Sequence, residues 1–138
     1  MDELQAGDKV VELGAMVRSV TVATGSISST LLLFLARQSL GSCLTAFLIG
    51  AITGFIIGLL LSRLLYADGK GNVKIVKATP ANFPITVSAA LKGGTCQTVV
   101  VLIGLGLSGK IVAWPLTVEV VSGVNLLIAL AIARLSLL

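Results

Sequence analysis

The sequence predicts an all-α membrane protein, a compact bundle of about four transmembrane helices, with two tandem helical hairpins as a candidate subdivision. Three observations carry this expectation. Of the 138 residues, 56% are hydrophobic and only 12% charged, and the mean hydropathy of +1.06 lies far above that of soluble domains. The few charges bracket uncharged stretches of 18 residues (Arg18 to Arg37), 25 (Arg37 to Arg63), 17 (Lys92 to Lys110) and 23 (Lys110 to Arg134), the last broken only by Glu119. Each matches the roughly 17–25 residues that cross a hydrocarbon core, and snorkelling Lys and Arg extend the usable length. Finally, the Gly/Pro/Asn-rich polar sequence is concentrated in residues 67–84, a loop that separates the stretches into two pairs. A single integral membrane domain, 1–138, is expected.

Taken in order, the acidic N-terminus lacks the basic n-region of a secretory signal, so no removable targeting segment is expected. Residues 1–18 read as a short amphipathic segment. Val10, Leu13, Val17 and Val20 recur at helical spacing, which predicts a juxtamembrane turn lying on the membrane surface. The first span, about 19–36, is rich in Ser and Thr, residues that satisfy themselves on a neighbouring turn or hydrogen-bond another helix. Arg37–Ser42 reads as a tight turn, and the second span covers about 40–66. Within the loop, Asp68-Gly69 and Gly71-Asn72 offer turns that would close a small hairpin onto residues 73–76. Pro84 suits the start of a third span, about 85–110, and Trp114-Pro115 marks an interfacial aromatic and the start of a fourth, about 115–137.

Four spans put Lys9, Arg18, Arg63, Lys70, Lys74, Lys77, Lys92 and Arg134 on one side and only Arg37 and Lys110 on the other. The positive-inside rule then places both termini on the cytoplasmic-equivalent side. A faint internal repeat accompanies this pattern: Arg18-x-x-Thr21-x-x-Thr24 parallels Lys92-x-x-Thr95-x-x-Thr98, and both hairpins end in small-Arg-Leu. Such a repeat would relate two hairpins about an axis along the membrane normal.

The strongest motif is a row of small residues in the second span. Ala46, Gly50, Gly54, Gly58 and Ser62 recur every four residues, a glycine zipper that lets another backbone approach closely. Thr21, Gly25 and Ser29 form a weaker row on the first span. The alternative for both is the lining of a narrow path for a small substrate. Gly104-x-Gly106-x-x-Gly109-Lys110-Ile111 imitates nucleotide-binding patterns, but Ile111 stands where a P-loop needs Ser or Thr, and no βαβ unit or following acid is present. It reads as a glycine-rich membrane helix.

Glu119 is the only acidic residue within a span, and intramembrane ionisable groups are candidate ion or proton sites. The competing reading is structural, with a carboxylate near a positive helix N-terminus and Lys110 within reach. Asn125 joins it as a candidate, although both Asn125 and Gln97 also suit interhelical hydrogen bonds. The stretch from Glu119 to Ile132 resembles the carboxylate-bearing helix of rotary ATPase proteolipids. That resemblance covers one helix of four and departs in the short connection before Trp114 and in placing the acid near one interface, so it implies nothing for the rest of the chain.

Lys70, Lys74 and Lys77 are topology determinants that could also contact lipid headgroups or an acidic partner. No aromatic residues interleave with them, so nucleic acid is not an expected partner. The chain has no histidine, and Cys43 and Cys96 make no metal or redox motif, so no cofactor, metal or catalytic constellation is expected. The composition therefore favours a non-enzymatic subunit that packs, through its small-residue helix faces, against other membrane proteins or copies of itself in a larger complex. The alternative is a small homo-oligomeric transporter or channel using Glu119.

Overall fold

Side-chain size decides which helix occupies the middle of the molecule. The computed structural model describes residues 9–66, 75–110 and 113–137. Its elements are β1 (Val10–Glu12), α1 (Leu13–Leu35), α2 (Leu40–Tyr66), β2 (Ile75–Lys77), a 3-10 turn (Pro80–Asn82), α3 (Phe83–Ser108) and α4 (Trp114–Leu135). All four helices are long and apolar enough to span a membrane, and they form a compact bundle. This is an integral, multi-pass, helical membrane protein.

The helix with the lowest hydropathy, α1, is the most enclosed. Its spanning window is 56% buried, against 17% for α2, the most hydrophobic helix. Hydropathy here tracks contact with lipid: a central helix needs small residues that admit neighbours, whereas a peripheral one needs bulk apolar surface. Gly14, Gly25 and a series of hydroxyl side chains give α1 that form, and α2, α3 and α4 all contact it. The hydroxyls satisfy themselves on the preceding turn. Thr24 Oγ1 donates to the Val20 carbonyl at 2.8 Å, Ser26 Oγ to Val22 at 2.8 Å, and Thr30 Oγ1 to Ser26 at 2.6 Å. Buried Ser and Thr therefore leave few polar groups wanting.

Helices α1 and α2 run antiparallel in one constant register. Gly14 stands opposite Ser62, Arg18 opposite Gly58, Thr21 opposite Gly54, and Gly25 opposite Gly50. Helix α3 lies parallel to α1, with Gly93 against Val17 and Thr21, and α4 returns antiparallel, bringing Ala129 beside Gly94 and Val20. Two apolar cores result, one at each end of the bundle. The first gathers Leu13, Val17, Val20, Ala89, Ala129 and Ala133; the second gathers Leu32, Leu33, Cys43, Val101, Leu105 and Val121.

The N-terminal segment departs from expectation. In the described part of 1–18, residues 10–12 form β1, and α1 begins at Leu13, six residues before the expected start at 19. Leu13, Met16, Val17 and Val20 are buried in the core. The periodicity was that of a core-facing helix, which sequence alone cannot distinguish from a surface-seated one. Strand β2 pairs antiparallel with β1, Val11 opposite Val76; the small hairpin expected within the loop falls mostly on residues 67–74, which lie outside the described set. The turn after α1 closes with Arg37 in the left-handed region (φ 59°) and Gln38 N–H donating to Leu33 O at 3.0 Å.

Candidate functional site

Each sequence-derived candidate among the described residues has a definite place. The α2 row faces α1: Gly50, Gly54, Gly58 and Ser62 are buried, and Ala46, half-buried, ends the row. A Cβ added at Gly50 would overlap the Gly25 carbonyl, and one at Gly54 would overlap the Thr21 carbonyl while lying 2.8 Å from the Val22 Cα. The two small-residue rows thus meet each other within one chain. Ser29, at the end of the α1 row, reaches a cleft between α2 and α3.

The GxGxxG segment resolves into a helix and its cap. Gly104 and Gly106 belong to α3, while Gly109 adopts φ 69° at the C-cap, the left-handed conformation that glycine takes without steric cost. Lys110 follows the cap and donates from Nζ to Ser42 Oγ at 2.6 Å, tying the α3 end to the start of α2.

Glu119 and Asn125 do not come together. Glu119 is exposed on the outer face of α4, and among the described residues it has no hydrogen-bond or ion-pair partner. The expected support from Lys110 is absent, because that ammonium is engaged with Ser42. The helix N-terminus offers little more, since its effect fades within the first turn and Glu119 lies five residues beyond Trp114. Asn125 instead points inward, only 2% exposed, and its amide donates to Thr98 Oγ1 at 2.7 Å. Gln97, fully buried, approaches Thr53 Oγ1 at 3.4 Å. The carbonyl oxygens of both amides find no partner among the described residues. These two side chains form a polar layer between the apolar cores, and a cavity of about 290 Å³ opens beside Asn125, Thr98 and Ser122.

At the β-ribbon end, Arg18 pairs with Glu12 at 3.6 Å and donates to Ser62 Oγ at 3.2 Å, while the Lys92 ammonium sits 5.9 Å over the Tyr66 ring. Lys77 is held within β2; Lys70 and Lys74 lie outside the described residues. Among the described residues no group of His, Cys, Asp and Glu could hold a metal ion.

The feature that sequence reasoning missed is the α2–α3 cleft, about 730 Å³, with α1 as its floor and Lys110 and Ser42 at its mouth. Its apolar walls come from helices distant in sequence, so only the Lys110 charge was visible beforehand. No family model, no curated protein and no solved structure matches the chain.

Proposed function

We propose that this protein is a non-enzymatic membrane subunit that works by lateral association, and that the outer face of α4 is where its partner sits. The observation that carries this reading is the unpaired, outward-facing Glu119. A charged side chain costs about 2.5–3.5 kcal/mol at the centre of a bilayer on insertion scales, and less toward the headgroups. Glu119 lies about 8 Å below Trp114 at 1.5 Å per residue, deep enough for a partner to be favourable. Ser122 and Gly123 follow at the i+3 and i+4 positions of the same face. Both are exposed, and a Cβ at Gly123 would meet nothing. A carboxylate, a hydroxyl and an open glycine suit a neighbouring helix that carries a donor and approaches closely. In this reading the glycine zipper of α2 is an internal fastening, and the exposed Leu48, Ile52, Phe55 and Ile56 on the opposite side of that helix face lipid.

The same observation supports a second reading, a homo-oligomer in which Glu119 carboxylates from several copies carry protons or cations. Blue-native electrophoresis of membranes extracted in mild detergent separates the two. For the subunit reading, the parent migrates in an assembly with another protein, and Gly123→Leu releases it without unfolding the chain. For the transporter reading, the parent migrates as a homo-oligomer, and Glu119→Gln abolishes dye-reported flux in liposomes while leaving size unchanged. A monomer with no flux would defeat both.

A further inference from the structure

The α2–α3 cleft combines two chemistries that belong to one class of ligand. Its interior is apolar: Leu33 forms part of the floor, and Ile49, Val101 and Leu105 the walls. Its volume of about 730 Å³ falls within the roughly 300–1,000 Å³ of small-molecule sites. On α2 the lining runs from Gly41 to Thr53, about 18 Å along the helix axis. Ile49 and Ile103 are more than half exposed at its edges, so the cleft opens sideways toward the bilayer.

The mouth is polar and cationic. Lys110 Nζ donates to Ser42 Oγ, and Ser39 Oγ donates to the same oxygen at 3.1 Å. Ser108 completes the rim, its hydroxyl accepting from the Lys110 backbone N–H at 3.3 Å. Among the described residues no carboxylate lines the cleft, so the Lys110 charge is uncompensated by any of them there. An ammonium with rotatable hydroxyls at the end of an apolar slot matches a phosphate group attached to an acyl chain.

We infer that this cleft holds one anionic phospholipid, with its phosphate on Lys110, Ser42 and Ser39 and an acyl chain between α2 and α3. The uncompensated positive charge selects a net-negative head over a zwitterionic one, which brings its own cation. The site lies on a different face from Glu119, and the inference does not depend on the association reading. It also differs from Lys77, which lies in β2 at the other end of the bundle.

The test is native mass spectrometry of the full-length protein in detergent, titrated with phosphatidylglycerol and with phosphatidylcholine of identical chains. The parent should retain one phosphatidylglycerol in preference to phosphatidylcholine. Lys110→Gln should weaken that retention about tenfold, as loss of one charge-assisted contact implies, and bring the two lipids level. Gly104→Phe, at a cleft-lining position where a Cβ meets nothing, should displace the chain while leaving Lys110 intact. Equal retention of both lipids by the parent would overturn the inference. So would unchanged phosphatidylglycerol binding in either variant, provided its thermal unfolding matches the parent.

Discussion

Gly50 and Gly54 sit where two helix backbones come closest, and the absence of a side chain there is a geometric requirement. Even one methyl group at Gly54 would meet the Thr21 carbonyl, and backbone atoms cannot rotate away as a flexible side-chain tip can. Gly54→Ala should therefore destabilise the folded monomer by about 1–3 kcal/mol, the usual cost of overpacking. Gly123→Ala should be neutral or slightly stabilising for the monomer, because its surroundings are open and alanine favours helix. Detergent-solubilised protein, unfolded by heat or by added SDS, would report the difference. Equal stability of the two variants would mean that α1 and α2 are not held at this register. Spacing alone made the row visible in the sequence, but not its occupant. Any helix with small residues could have filled that face, and it is the α1 row of Thr21 and Gly25 that does so.

At the scale of elements, the helices were legible and the ribbon was not. The expected spans 40–66 and 115–137 lie close to α2 (Leu40–Tyr66) and α4 (Trp114–Leu135), each helix running past its last cation, Arg63 or Arg134, since lipid sets a narrow range of span lengths. The start of α1 was displaced because Arg18 looked like a boundary. In the fold this arginine stays inside the helix, held by Glu12 and Ser62, so its charge does not end the span. Three-residue strands leave too little periodicity to read, and β1 and β2 lie more than sixty residues apart. The ribbon nevertheless ties the chain preceding α1 to the connection before α3, with Val11 and Val76 both buried against the first core. Directly opposed residues of an antiparallel pair have Cα atoms about 4.5–5.5 Å apart, within the range that a disulfide bridges. With Cys43 and Cys96 replaced by Ala, Val11→Cys combined with Val76→Cys should cross-link on mild oxidation, seen as faster migration without reductant. Failure to cross-link, with insertion intact, would argue against the β1–β2 pairing.

At the scale of the whole molecule, the candidate site was only half legible. Glu119 stood out by its charge, but its outward orientation and its separation from Asn125 depend on which face of α4 meets α1 and α3, and that is decided by Val121, Asn125, Ala129 and Ala133. The orientation of the bundle in the membrane rests on a separate argument. Successive helices alternate in direction, so Lys9, Arg18, Arg63, Lys77, Lys92 and Arg134 gather toward the ribbon end, and Arg37 and Lys110 stand at the two short turns of the other end. Positive charge is retained on the cytoplasmic side during insertion, so the ribbon end should face the cytoplasm and both turns the opposite compartment. Two single-cysteine variants of a cysteine-free background test this in intact cells with a membrane-impermeant maleimide. Ser39→Cys, exposed in the first turn, should label from outside. Ala81→Cys, exposed in the 3-10 turn before α3, should label only after permeabilisation. The reverse pattern would invert the bundle and place Lys110 and its cleft in the inner leaflet, and labelling of both sites from one side would break the four-span arrangement itself.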